Sequence, residues 1–447
     1  MTLEPNDVAY TLGIILSIAF PGLEREFKID AGKAAVHIQG RRIDFALTGP
    51  SDQKSLLAGT FPMRKIPSWD RALNLPVMLP NGRPFAEADD DALCLNADII
   101  TLPFFLMSRA EDVICSNRDQ YGRMSYKDSL AAKYNFIDFP LVDEYALLLR
   151  REAEMFLPSL KVAPRKGRLI LTHDVDTMKL FKNFKTAAKL ILGHDVVLGK
   201  SLLTAVRSVG QYLKSLRDPR LDPDVFGLKA LLDLSLKHNV TSEFYFMGYP
   251  PEHYDWQYDL QSIPVEWAME TIKKSGMIAG FHGGFGTHDD STVFAGQKAR
   301  VEEAWGEPAK CGRQHFLCFD ALKSPRLWEE NGMETDSTLG YYDREGFACG
   351  TAHPFPLYDL QRHSALNVAE RPLIAMDCTL KNYRGMPREL ALSQLRKLYA
   401  RSMAAEGDLV ILWHNRSIFR DWAPWFQDVY AEFLNAPDIQ PNGVEAP

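Results

Sequence analysis

The 447 residues, 46% hydrophobic and 24% charged, describe ordinary globular material, long enough for two or three domains. A formal net charge of −7 argues against a dedicated nucleic-acid binder, which would carry a basic surface. The six cysteines (Cys94, Cys115, Cys311, Cys318, Cys349 and Cys378) form no close C-x-x-C pair and read as reduced, buried thiols of a cytoplasmic protein.

The apolar run Val8–Phe20 follows Glu4 and Asp7 with no basic residue before it and no small-residue cleavage site, so it does not read as a signal peptide. It is too short to span a bilayer and reads as a buried first helix or strand. Ala34–Ile38 and Arg42–Leu47 alternate as a hairpin about Gly40. Ile99–Phe105 is a second apolar run. The mixed charges of Ser108–Arg123 read as a solvated or salt-bridged surface. Tyr145–Phe156 has helical periodicity and stops before Pro158, and Pro164, Lys166 and Gly167 read as a linker. These elements make a smaller N-terminal α/β domain, residues 1–163, of unknown role.

From residue 164 to 436 short strands alternate with amphipathic helices. The expected strands are Arg168–Asp174, Thr241–Met247, Met277–His282, Lys310–His315, Gly346–Gly350, Leu373–Thr379 and Asp408–His414. The expected helices are Gly227–His238, Val265–Ser275, Thr292–Trp305, Leu322–Asn331, Arg388–Glu406 and Ala423–Leu434. About seven strands in this rhythm predict an α/β fold with a distorted (β/α) barrel rather than an open sheet. No Gly-rich phosphate turn follows the first strand, as a dinucleotide fold would need. Residues 177–220 interrupt the rhythm with a basic, helical insertion. A lid over an anionic substrate, or contact with an acidic membrane surface, is a weaker reading of that segment than a solvated helix. Residues 437–447 are a C-terminal tail.

The strand ends carry the chemistry. Arg168–Asp176 is a hydrophobic strand finishing in two carboxylates. Thr172, Asp174 and Asp176 share one face, because alternate side chains of an extended chain point the same way. Two acids side by side resist ionising together unless a cation or a donor sits between them. His282 closes the Met277–Phe281 run, and His288 follows after a Gly-rich loop that can fold back. Arg313 and His315 sit together in Gly-Arg-Gln-His-Phe, Asp377 ends another strand, and His414 ends Leu-Val-Ile-Leu-Trp-His. One Asp and two His suit zinc or another divalent ion with a position left for water. A second carboxylate can take that water's proton, and a separate His can protonate a leaving amine. Each residue alone has a blander role: a hydrogen-bonded core histidine, an Asp–Arg pair, a loop cap.

Thr-His-Asp-Val-Asp, Phe-Tyr-Phe at 244–246, the Gly-Phe-His-Gly segment, Arg313 and Leu-Trp-His414, in that order, resemble the successive motifs of the polysaccharide deacetylases (the NodB-homology, carbohydrate esterase 4-like group). The resemblance spans roughly Arg168 to Phe419, and the N-terminal half looks like a domain that precedes such barrels in some bacterial proteins. It implies a divalent metal, zinc foremost, and hydrolysis of N-acetyl groups on a sugar or polysaccharide precursor. It implies Asp174 as general base, Asp176 and His282 as metal ligands, Arg313 as the residue orienting Asp174, and His414 as general acid. Two departures stand out. Val175 separates acids that family members hold adjacent, and Gly286 stands where they place the second ligating His. His288 can substitute there, with His315 and His353 as other candidates, or the third ligand is absent. His315, His353, Asp377 and Tyr245 are candidate substrate-binding residues, with Trp256, Tyr341 and Phe355 as further aromatics near a sugar. A catalytically silent carbohydrate-binding or scaffold protein, or a hydrolase of another non-peptide amide, are the competing expectations.

Overall fold

The computed structural model describes residues 2–23, 26–30, 33–192, 202–249, 258–417 and 424–439. Trp256, residues 193–201 of the basic segment, Phe419, Ala423 and the tail beyond residue 439 lie outside them.

The chain begins with α1 (Pro5–Ala19), β1 (Glu26–Asp30), β2 (Lys33–Ile38), β3 (Arg41–Ala46), α2 (Pro50–Leu57) and β4 (Arg64–Pro67). There follow β5 (Asn74–Val77), β6 (Ala86–Ala88), β7 (Ala92–Leu95), α3 (Thr101–Met107), α4 (Ala110–Ile114), α5 (Leu130–Tyr134) and α6 (Leu141–Phe156). The early apolar run is a helix: Pro5 opens it, and the Asp7 side chain accepts the Glu4 N–H at 2.8 Å, closing its first turn. The hairpin β2–β3 pairs antiparallel with Ala34 opposite Phe45, within a sheet ordered β1-β2-β3-β7-β6. The second apolar run becomes α3, buried along its whole length. The mixed-charge segment is salt-bridged, and exposed over much of 113–122, but its two ends are buried. Arg109 and Glu111 are buried, with Arg109 pairing to Glu111 at 3.0 Å and Asp112 at 2.8 Å, while Glu111 accepts the Leu130 N–H. Such charges are tolerated in a core only when their donors and acceptors are satisfied, as these are.

Glu144 on α6 is the less comfortable case. It is 3% exposed, and its Oε2 has no hydrogen-bond partner among the described residues. Burial, then Asp70 and Asp143, push its pKa from the usual 4.5 up to about 8. Between those two values the unfolded chain has lost a proton that the folded one keeps. Stability should therefore fall as pH rises across that window, by up to about 1.4 kcal/mol per unit. Glu144→Gln is expected to remove that slope, so its melting temperature should exceed the wild type's clearly at pH 8 and little at pH 5. Parallel slopes for the two proteins would refute the assignment.

The remainder contains β8 (Leu169–Val175), α7 (Phe184–Ala188), α8 (Leu202–Arg217), α9 (Pro223–Lys237), β9 (Ser242–Met247), α10 (Ile263–Lys274), β10 (Ile278–Gly283), α11 (Ser291–Trp305) and β11 (Cys311–Gln314). After these come α12 (Ser324–Glu330), β12 (Thr335–Asp336), β13 (Phe355–Asp359), β14 (Ser364–Glu370), β15 (Ala375–Met376), α13 (Arg388–Ala404), β16 (Leu409–Leu412) and α14 (Pro424–Asn435). The nine strands order as β13-β14-β12-β11-β10-β9-β8-β16-β15. All neighbours are parallel except the β13–β14 pair. Every residue of β8, β9 and β16 is buried, which is why these strands read as near-continuous apolar runs: helices or side chains cover both faces.

The sheet is curled. In a flat sheet β11 and β8 would lie three strand spacings apart, roughly 14 Å. Yet Arg313 on β11 touches Asp174 on β8 at 2.8 Å. Likewise Arg371, just after β14, pairs with Glu243 on β9, and residues 371–374 alone link β14 to β15 at the other end of the strand order. Among the described residues β13 and β15 remain edges, so the sheet is a curled half-barrel of nine strands, in keeping with the distorted barrel expected but with more strands than about seven. One expected strand changes. Gly346–Gly350 is not a strand, because Gly346 (φ 126°) and Gly350 (φ 70°) bend it into a turn under Ile137, where a Cβ on Gly346 would meet the Ile137 carbonyl at 2.3 Å. Its place is taken by the two-residue β12 and the hairpin β13–β14.

One apolar interior runs from Val8 of α1 to Leu434 of α14. Tyr10 packs on Tyr358, Asp7 accepts from the Tyr358 hydroxyl, and the Val142 N–H donates to the Gly350 carbonyl. Arg165 of the linker grips both carboxylate oxygens of Asp408. A second apolar group, with Ile170, Leu373, Val410 and Leu412, fills the inside of the curl. The basic segment is helical at Phe184–Ala188 and Leu202–Arg217 and irregular over 177–183, with Phe184, Leu203, Val206, Leu213 and Leu216 exposed. No helix among the described residues is long and apolar enough to cross a membrane. The cysteines are all free thiols; Cys311, Cys318 and Cys349 are buried and the other three partly exposed.

Candidate active site

Thr172 and Asp174 point into the curl, whereas His173 between them points into the core. There it donates to the Trp413 carbonyl at 2.9 Å and packs on Phe244, and burial pushes its pKa down to about 4. It is a neutral core histidine. The face-sharing expected of the extended strand therefore aims the acids at one another's partners.

Arg313 is that partner for Asp174. Its guanidinium is completely buried and uses Nη1 on Asp174 Oδ1 (2.8 Å), Nη2 on Thr172 Oγ1 and Ser337 Oγ, and Nε on the Ser337 carbonyl. A buried cation persists only with such complete pairing. Gly312 beside it has no room for a side chain: a Cβ would sit 2.0 Å from the Phe281 carbonyl oxygen. That close approach brings β10 against β11 and sets His282 opposite Arg313.

His282 donates its Nδ1–H to the Arg313 carbonyl at 2.9 Å, which leaves the Nε2 lone pair facing the acids. Nε2 lies 3.5 Å from Asp176 Oδ1 and 3.6 Å from Asp174 Oδ2. His315 brings its Nε2 to 3.8 Å from the same Asp176 oxygen. One ligand atom from each of Asp176, His282 and His315 falls within 4.8 Å of the others. Asp176 Oδ1 and His282 Nε2 are buried without a hydrogen-bond partner among the described residues, a costly state that a cation between them would relieve. Tetrahedral zinc ligands at 2.0–2.1 Å stand roughly 3.3 Å apart, close to these separations. The donor set and its spacing therefore fit a divalent ion. Burial works against ionised Asp176, but His414, His282 and His315 outweigh it and hold the carboxyl well below the usual range. His282 is opposed by burial and raised overall by Asp174 and Asp176.

His414 follows β16 and faces this group from the other side, with Nε2 3.8 Å from Asp176 Oδ2. Its Nδ1–H donates to Asp377 Oδ1 at 2.7 Å, and its backbone N–H donates to Asp377 Oδ2 at 3.0 Å. Burial opposes the imidazolium, but Asp377, Cys378 and Asp176 raise the pKa well above the ordinary value. Asp377 is thus a partner of His414.

These groups open into a cleft of about 420 Å³ at the C-terminal ends of the strands, lined by Asp174, Asp176, His315 and His414 with Arg123, Phe316, Asn382, Tyr383 and Arg416. Sequence reasoning missed the second set. Arg123 lies nearly two hundred residues from the rim it reaches, inside a charge cluster that looked like surface. No local signal marks it.

Other sequence candidates lie elsewhere. His288 stands apart from the Asp176 group: its Nε2 is 3.9 Å from Asp289 Oδ1, and its carbonyl accepts from Ser324. His353 is at the opposite rim, where it donates to the Ala405 carbonyl beside the start of β16. Tyr245 lies beneath Arg313, 5.2 Å from ring centroid to guanidinium carbon, with its hydroxyl on Glu243. Tyr341 packs against Arg109, and Phe355 is core.

Residues 6–156 match a family of unknown function, DUF7033. No curated protein matches the chain. Among solved structures, one named as a polysaccharide deacetylase from Mycobacterium smegmatis is 18% identical, at a TM-score of 0.38 over 64% of this chain and 91% of that one. Another so named, described as involved in O-antigen biosynthesis in Bordetella bronchiseptica, is 12% identical, at 0.32 over 60% and 91%. A carbohydrate esterase 4 family pseudoenzyme from Bacillus anthracis is 10% identical, at 0.31 over 62% and 65%. At TM-scores this low, these neighbours leave the function to be argued from the site.

Proposed function

We propose that this protein is a metal-dependent hydrolase that removes N-acetyl groups from a sugar or polysaccharide precursor. The observation that carries the reading is the convergence, on one rim, of an Arg-held carboxylate, a partly unsatisfied Asp–His pair and an Asp-backed histidine. Asp176 and His282 would hold the ion, and one Asp with His ligands suits zinc. When bound, such an ion polarises an amide carbonyl and acidifies a water. Asp174, fixed through Oδ1 by Arg313, keeps Oδ2 directed toward His282 and available to take the proton of that water. His414, oriented by Asp377, presents Nε2 to the cleft and delivers a proton to the departing amine. Acetate and a free amino sugar are the products.

The test is acetate release from a panel of N-acetyl sugars by the zinc-loaded full chain, before and after chelation. Chelation should abolish release, and His414→Ala should lower it by about 10²–10⁴-fold. Zinc-loaded protein that releases no acetate from any sugar, yet retains binding to one of them, would replace this reading with a silent carbohydrate-binding protein. Release from simpler amides alone would redirect it to another amide substrate.

A further inference from the structure

We propose that His315 supplies the third protein ligand of the cation, and that residues 119–123 of the N-terminal segment hold it in place. This rests on the metal-dependent reading above. The three donor atoms already lie together, and His315 reaches the Asp176 oxygen that otherwise lacks a hydrogen-bond partner. Its imidazole meets that of His282 edge to face, with centroids 5.1 Å apart, so both rings turn toward one space. His288 is committed to a different neighbourhood, beside Asp289 and the Phe285 ring.

His315 stands at an unusual place in the backbone. β11 ends at Gln314, and the next two residues after His315, Phe316 (φ 60°) and Leu317 (φ 56°), both adopt the left-handed region without being glycine. Two consecutive residues of this kind persist only where their surroundings enforce them. The N-terminal segment supplies the enforcement. Arg123 donates from Nη1 to the Phe316 carbonyl at 2.6 Å, while Asp119 holds the same guanidinium through Nε and Nη2. The Tyr121 ring stacks on Phe316 (4.4 Å, 17°), and Phe316 stacks on His315 (3.8 Å, 23°). Tyr121, Phe316 and His315 thus form a three-layer stack that ends on the imidazole facing Asp176. The stretch matching a family of unknown function thereby gains a role, since its residues 119–123 position a ligand on the sheet rim.

The experiment measures cation binding rather than turnover. The full chain and its variants are titrated with zinc against a chelating dye, and with cobalt(II), whose visible absorption reports the donor set. Expected are stoichiometric zinc binding by the wild type and a dissociation constant raised about 100-fold or more by His315→Ala and by His315→Gln, which preserves more of the packing. Tyr121→Ala and Arg123→Ala should weaken binding by about 10–100-fold and shift the cobalt spectrum, as orienting partners do. His288→Ala should leave both measurements unchanged. If the folded His315 variants bind zinc as the wild type does while Asp176→Ala does not, this proposal falls and the metal-dependent reading survives. If wild type and Asp176→Ala bind zinc equally poorly, both fall. Unchanged binding and spectra in the Tyr121 and Arg123 variants would overturn the positioning role.

Discussion

Replacing Asp174 by Asn is expected to lower kcat for acetate release by about 10²–10⁴-fold with little change in KM, the range a positioned general base contributes. The substitution keeps size and shape. An amide oxygen can still accept from Arg313 Nη1, so the rim should stay assembled. What is lost is the oxygen beside His282 that can receive a proton. The pairing with Arg313 sharpens the expectation: the two carboxylates of one strand have different anchors, Asp174 an arginine and Asp176 a group of histidines. Each is thereby suited to a different part of the reaction, and the pair need not share a proton. Zinc affinity should be nearly unchanged in Asp174→Asn. A rate within tenfold of wild type would show that another group takes the proton.

Arg150→Ala is expected to destabilise the fold by about 2–3 kcal/mol, the cost of unmaking hydrogen bonds to a charged, largely buried group. Arg150 on α6 donates Nη1 and Nη2 to the two Glu406 oxygens at 2.6 and 2.9 Å. Its Nε and Nη2 also reach the Ala19 and Ile18 carbonyls, among the last of α1, which have no partner within their own helix. One guanidinium therefore joins α1, α6 and the turn just after α13. Removing it leaves a partly buried carboxylate with the Arg165 N–H as its remaining donor, and takes the donor from two helix-end carbonyls. Urea unfolding monitored by tryptophan fluorescence checks this; a loss below about 1 kcal/mol would mean that water replaces the guanidinium without penalty.

Much of the framework could be read from the chain because parallel strands buried on both faces leave long apolar runs. Leu169–Val175 and Leu409–Leu412 are of that kind, and their ends put Asp174 and His414 where chemistry was sought. The two-residue β12 leaves no run to detect. Pro356 and a bulge disguise the antiparallel pair β13–β14. Gly346–Gly350 is apolar enough to pass for a strand, but its glycines take positive φ. Histidine identity alone could not separate His315 from His288 or His353, since the distinction lies in what the fold sets beside each: Asp176 for His315, Asp289 for His288, the Ala405 carbonyl for His353. Within Ser108–Arg123 the buried charges Arg109, Glu111 and Arg123 could not be told from the exposed ones, because opposite charges look alike in sequence whether water or another segment satisfies them. Arg123 in particular acts across nearly two hundred residues.

The uninterrupted interior described above means that the polar linker at residues 164–167 is a strap, not a hinge. Parting the two stretches from one another would open apolar faces on both sides. A substitution that loosens the shared interior in either part should lower the unfolding midpoint of both together.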